Sequence, residues 1–232
     1  MLTVHHLQRS QSERIVWLCE ELGVPYELQV HPRNPHTGLA PPIFKQLHPA
    51  GTAPVITDGP DVTIAESGAC VEYICRVHGG DRLLVQPGAP HYAEFLQMFH
   101  WTNATLQAAT SRVMWLNFTL GPEAAAENTL AQMVRGRVEG MLAFLNERLA
   151  KTQFLVGNEL TAADIMVVYT LTTSRGFSPM DFTGKDNILA YLQRLGRRPA
   201  YIKAREKGDS ETPPLLGAVV EKFHFPGLGG KK

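Results

Sequence analysis

Charge of one sign is what this chain most plainly lacks. Lys and Arg total 22, and Asp and Glu total 22, in 232 residues. A zero balance supplies no long-range field for nucleic acid or for an anionic membrane surface. Long apolar runs are missing too: none approaches the ~18 residues that span a bilayer. The opening MLTVHHLQRS has no basic stretch leading into an apolar block and a cleavage site. The expectation is therefore a soluble, cytoplasmic protein with no membrane and no nucleic-acid partner. Cysteine is scarce: Cys19, Cys70 and Cys75 make an odd number, no CxxC occurs, and each falls in a predicted helix. Free, partly buried thiols are expected, as in a reducing compartment. G-x-S-x-G, the P-loop and G-x-G-x-x-G are all absent. His5 and His6 adjoin on a strand and point to opposite faces, so they cannot share a metal. The other histidines lack ligand spacing, so no metal is expected.

Apolar residues, at 44%, are plentiful enough for a real core. The first ~80 residues alternate in character. Leu2–His6 reads as a strand. The segment SERIVWLCEELG reads as a helix with Ile15, Leu18, Cys19 and Leu22 on one face and Gly23 as its stop. Tyr26–Val30 is a second strand, and a short helical piece lies near Ile43–Leu47. Pro54–Thr57 and Val62–Ala65 flank Asp58-Gly59 as an antiparallel hairpin. A helix over about 67–78 ends at Gly79-Gly80. The order is β-α-β-α-β-β-α.

The stretch GGDRLLVQPGAPH then breaks the pattern, which places a domain boundary near 80–90. Residues 1–80 form one expected domain and 91–232 a second, helical one. Positions 95, 99, 102, 106, 109, 113 and 116, all apolar but Thr102, share a helix face, predicting one long helix over about 91–119 closed by Gly121-Pro122. A second is predicted over about 123–150. Thr161–Asp164 has the form of a capping box. Helices near 187–196 and 199–207 come next, and GLGGKK reads as a loose tail.

Three short segments carry chemistry. Ala53 precedes Pro54 at the start of a strand, where no ladder donor is needed. Either this is an ordinary edge proline, or a cis bond leaves the Ala53 backbone open to an extended peptide. Glu66-Ser67 stands at a strand-to-helix junction. The first helical turn has unpaired N–H groups and partial positive charge. The pair is either a plain cap or a grip on the zwitterionic end of an amino acid or peptide, with the N–H groups and hydroxyl taking the carboxylate and Glu66 the ammonium. Ser10 and Ser12 lie where the first strand runs into the first helix. A hydroxyl there donates to a bound thiolate and lowers its pKa; alternatively Ser12 only caps the helix and Ser10 is only loop. Tyr26 is set aside because it falls in the second strand.

HHL-x-RS-x-S-x-RIVWL-x-EELGVPYEL, HPAGTAPVITDG, AESGACVEYI and LTAADIMVV together resemble the cytosolic glutathione transferases. The likeness is strongest to the bacterial and fungal branch, whose first helix reads WLLEELGLPYE and whose loop reads HPLGKSPVL. It covers nearly the whole chain, weakest at about 91–150 and in the last ~20 residues. The resemblance implies an α/β thioredoxin-like N-terminal domain, an all-α C-terminal helical bundle and a homodimer. It implies glutathione as co-substrate, no bound cofactor, and a detoxifying conjugation to, or reduction of, small hydrophobic electrophiles. By the same resemblance Glu66 and Ser67 hold the γ-glutamyl head, Ala53 pairs with the cysteinyl unit, and Pro54 is a cis proline. Thr52 stands where the family often has a lysine that reaches the glycine carboxylate; His48 or Lys45 are the available substitutes. His5-His6 occupy the position of the tyrosine used by other classes, so Ser10 is the first choice for the thiol-activating hydroxyl and Ser12 the reserve. The electrophile is expected against Trp101, Ala104, Ala108, Arg112 and Trp115, although part of that face also suits a dimer interface. Asn103 is a further candidate for glutathione. A non-catalytic binding module on the same fold is the alternative. A glutaredoxin-type oxidoreductase is disfavoured, since residues 8–14 hold no cysteine.

Overall fold

The computed structural model describes residues 1–226, so the GLGGKK tail lies outside the described residues. The strands are β1 (Leu2–Leu7), β2 (Glu27–His31), β3 (Val55–Asp58) and β4 (Val62–Ala65). The helices are α1 (Glu13–Leu22), α2 (Pro42–Lys45), α3 (Ser67–Val77), α4 (Tyr92–Trp101), α5 (Ala108–Leu120), α6 (Pro122–Glu127), α7 (Thr129–Leu149), α8 (Ala162–Leu171), α9 (Asp186–Gly196) and α10 (Pro199–Gly208). Contacts divide the chain into two compact units. Among the described residues the first holds Met1–Gln86, Arg194–Pro214 and 224–226; the second holds Pro87–Gln193 and Leu215–Phe223. The β-α-β-α-β-β-α order read from the sequence is the order observed, and contacts add α10 to the first unit.

In the first unit the sheet order is β2-β1-β3-β4, with β1 parallel to β2 and the other pairs antiparallel. Helix α1 is buried nearly all round: Ile15, Val16, Trp17, Leu18, Cys19 and Leu22 are sealed from solvent. Gly23 ends it at φ 64°, the left-handed geometry that only glycine adopts without strain. Helix α10 covers α1. Tyr201 meets the Trp17 indole edge to face at 5.3 Å, a pair worth ~0.5–1.5 kcal/mol beyond its buried area. Lys203 and Lys207 both reach Glu20, at 2.7 and 2.5 Å, and Arg198 pairs with Glu21. The three cysteines are completely buried rather than partly so. They fill the α1 and α3 core, and burial pushes the Cys70 and Cys75 thiols up to about 12.

In the second unit α8 is the central helix, with all but Tyr169 buried. The capping box is present: Thr161 N–H donates to Asp164 Oδ2 at 2.9 Å, and Asp164 Oδ1 accepts from Leu155 N–H at 2.9 Å and Tyr191 at 2.8 Å. The single helix expected over 91–119 is instead α4 and α5 joined by a π-helical stretch, Thr102–Gln107. The expected 123–150 helix is two, α6 and α7. Asn128, extended at φ −74° and ψ 122°, separates them and caps α7 by accepting from Ala131 N–H. The buried face continues through the first junction at Thr102 and Leu106, so periodicity alone does not reveal it.

Candidate functional site

The antiparallel ladder between β3 and β4 stops at Val55 and Ala65. Continued by two residues it would set Ala53 against position 67, but that residue already begins α3. The Ala53 peptide groups therefore lie past the end of the ladder. The Ala53–Pro54 bond is cis. Below it a small cluster of Leu7, Phe44, Val55 and Ala65 packs against Ala53 and fixes its height above the sheet. Thr52 is exposed, as is Lys45. His48 is occupied within its own loop, where Nδ1 accepts from Ala50 N–H at 3.1 Å.

Glu66 turns the chain from β4 into α3 at φ 72°, ψ 118°, a region that non-glycine residues seldom enter. Such strain marks a position held for a reason other than local preference. Glu66 is not a plain cap, because its side chain makes no hydrogen bond to the helix it precedes. It is exposed. Ser67 is buried, and its hydroxyl accepts from the Arg14 guanidinium at 3.0 Å. Arg14 also donates to Gln11 at 2.9 Å. A buried positive group thus stands behind the α3 N-terminus and adds to its attraction for a carboxylate. An exposed carboxylate and an anion-favouring helix end lie side by side. Arg14 escaped the sequence reading, yet it sits four and eight residues before Leu18 and Leu22, on the same buried face.

The β1–α1 loop holds a second polar cluster. Ser12 occupies the N-cap of α1 but does not cap forward. Its Oγ turns back, accepting from Leu7 N–H at 3.1 Å, and lies 2.9 Å from His6 Nδ1 and 2.7 Å from Ser10 Oγ. Ser10 Oγ accepts from Ser12 N–H at 3.2 Å. Asp209, just past α10, accepts from His6 Nε2 at 3.1 Å, from Arg9 N–H at 2.7 Å and from Arg205 at 3.2 Å. Arg205 also pairs with Glu13 at 2.8 Å. Burial opposes ionisation of Asp209, but His6, Arg205 and the Arg9 amide outweigh it and hold the carboxyl below its ordinary value. His6, Arg205 and Asp209 were missed from sequence. Nothing in a one-dimensional pattern links residues 203 positions apart. His5 has separate neighbours: Thr57 at 3.4 Å and the His31 ring at 5.7 Å.

The residues expected to form the electrophile wall divide within the second unit. Trp101 packs on Phe144 with ring centroids 5.6 Å apart. Asn103 and Ala104 lie in the π-helical stretch and Ala108 just beyond it. Arg112 and Trp115 line a cleft of about 690 Å³ between α5 and α7, with Leu116, Leu130, Met133 and Arg137. Trp115 is 60% exposed and Met133 65%.

Two domain profiles match the sequence: the glutathione S-transferase N-terminal domain over residues 9–77 and the C-terminal domain over residues 108–199. Glutathione S-transferase 3 of Schizosaccharomyces pombe is 28% identical over 239 residues, covering 97% of this chain and 96% of the relative. The crystal structure of a glutathione S-transferase from Actinobacillus pleuropneumoniae is 28% identical with a TM-score of 0.74, covering 93% of this chain and 99% of the other. Probable elongation factor 1-gamma 1 of Arabidopsis thaliana is 26% identical and matches 100% of this chain but 52% of its own length. A thioredoxin-like sheet with a helical second unit, both domain profiles and a full-length relative agree: the chain belongs to the glutathione S-transferase family.

Proposed function

We propose that this protein binds glutathione at the Ala53, Glu66 and Ser67 margin and activates its thiol for attack on, or reduction of, small hydrophobic electrophiles. The observation that carries this reading is the pairing of an open backbone at the cis Ala53–Pro54 bond with a strained, exposed Glu66 at the α3 N-terminus. A γ-glutamyl head has an ammonium for Glu66 and a carboxylate for the helix end, and the adjoining cysteinyl unit is an extended segment suited to the Ala53 peptide. Thr52 supplies at most a hydroxyl to the glycine end, where a lysine would supply charge. Ser10 is the donor to the thiolate. A free thiol with pKa ~8.5 is a few per cent ionised at neutral pH, and one hydroxyl donor beside a helix N-terminus is enough to lower it by one to two units. The thiolate then attacks the electrophile. The assembly in this reading is a cytoplasmic homodimer.

A second reading has its own observation. Ser10 and Ser12 are 4% and 0% exposed and bonded to each other, and a probable elongation factor 1-gamma is among the relatives. A glutathione- or protein-binding module without turnover matches both facts. Turnover of glutathione with a chlorodinitrobenzene separates the two. Conjugation that collapses in Ser10→Ala supports the enzyme; a folded wild type with no turnover supports the module.

A further inference from the structure

We infer that Asp209 and His6 control the thiol-activating hydroxyl from behind, by deciding which way the Ser10 hydrogen points. The inference rests on the reading of Ser10 as the donor to glutathione. Its basis is a count of hydrogens along a buried chain: Asp209, His6, Ser12, Ser10.

An ionised carboxylate accepts only, so His6 Nε2, 3.1 Å from Asp209 Oδ2, bears a hydrogen. Two patterns remain for the rest. With His6 as neutral imidazole, Nδ1 accepts, and Ser12 donates its one hydrogen to it across 2.9 Å. Ser10, 2.7 Å from Ser12 Oγ, then donates inward, and a thiolate outside receives nothing from it. With His6 as imidazolium, Nδ1–H donates to Ser12. The Leu7 N–H at 3.1 Å fills the other lone pair of Ser12. Ser12 then donates to Ser10 at 2.7 Å, in preference to the Leu7 carbonyl at 3.3 Å. Ser10 Oγ, already accepting from Ser12 N–H at 3.2 Å, has both lone pairs taken. Its hydrogen is directed out of the chain.

Ser10 as the donor calls for the second pattern, and the Asp209 carboxylate on Nε2 is the group placed to support it. Asp209 and Glu13 are two buried carboxylates that both pair with Arg205. An imidazolium at His6 would pair directly with the buried Asp209 carboxylate 3.1 Å away, and a buried charge is tolerated only when it is paired. The ring of His6 meets Asp209 at Nε2 and Ser12 at Nδ1; Asp209 in turn pairs with Arg205 on α10, Arg205 with Glu13 on α1, and His31 on β2 is the further titratable neighbour. Gly208 lets this happen: a Cβ there would come within 2.9 Å of His6 Nε2. No proton leaves the protein in this scheme. The thiol proton goes to water, and Ser10 supplies a hydrogen bond to the anion left behind. Asp209 and His6 are positioning residues, since they act through Ser12 and Ser10.

The test is ultraviolet titration of the thiolate of bound glutathione in wild type, Asp209→Asn, Ser10→Ala and the double variant, with glutathione affinity from calorimetry. Asp209→Asn removes the charge that holds the imidazolium. The bound thiol pKa is expected to rise by about one unit while affinity stays within about twofold. Ser10→Ala and the double variant should give the same pKa as each other, because Asp209 acts only through that hydroxyl. His6→Gln reports the same shift should Asp209→Asn not fold. A wild-type thiol pKa retained in folded Asp209→Asn or His6→Gln, or shifts that add in the double variant, would overturn the inference and leave the glutathione reading standing. Failure of wild type to bind glutathione would overturn both.

Discussion

At the scale of the residue, two serines of similar appearance have different work. Ser12 is sealed in the loop and satisfies the Leu7 amide. Its loss strands buried partners, so Ser12→Ala is expected to lower stability by about 1–3 kcal/mol, measurable by urea unfolding. Ser10→Ala leaves the buried Ser12 amide without its acceptor and should also lower stability, by about 1 kcal/mol or more, and it should cut kcat/KM for glutathione roughly 10- to 100-fold, matching one to two units of thiol pKa. No effect of Ser10→Ala on turnover would reverse the assignment. Gly208→Ala should cost about 1–3 kcal/mol by crowding His6, whose ring is locked by bonds at both nitrogens. The Glu66-Ser67 and Ala53-Pro54 segments were readable as sequence because each is a local departure from strand or helix preference. Arg14 was missed, although its place as a charged residue on an apolar helix face was a signal that could have found it. Asp209 was not readable, since its role depends on tertiary approach alone.

At the scale of the element, α10 matters most to the site. It covers α1 through Tyr201 on Trp17 and a row of charges on Glu13, Glu20 and Glu21, and its last residues deliver Asp209 to the β1–α1 loop. Burial opposes ionisation of Glu20, but Lys203, Lys207 and Tyr26 hold its carboxyl down at about 2. A carboxyl depressed on folding stabilises above its unfolded pKa, ~4.3 for Glu. That contribution is lost as pH falls through about 2. Glu20→Gln should therefore be less stable than wild type at pH 7, with the gap closing between about pH 4 and 2 in paired thermal melts. In the second unit, Asp164→Ala removes the acceptor for Leu155, Thr161 and Tyr191 at once. A loss of about 3 kcal/mol or more is expected, read as a lowered denaturant midpoint. The capping box was visible as Thr161–Asp164 in the sequence. The π-helical stretch was not: it keeps the apolar face, and only the hydrogen-bond pattern changes.

At the scale of the whole molecule, alternation followed by helical periodicity was enough to separate an α/β part from a helical part, because strand and helix periods differ so clearly. The return of α10 to the first unit was invisible, since a helix carries no mark of which core it joins. The exposed Trp115, Phe118, Leu130 and Met133 on α5 and α7 show the same limit. Sequence identified an apolar face without deciding between electrophile and second subunit. Among the described residues no helix is long and apolar enough to cross a membrane. The function turns on whether Glu66 grips the amino-acid end of glutathione, and calorimetry on wild type and Glu66→Gln measures that directly. Saturable binding by wild type, weakened about tenfold or more in a folded Glu66→Gln, a loss of ~1.4 kcal/mol or more, is the predicted result. No heat from folded wild type, or identical affinities for the two proteins, would contradict it.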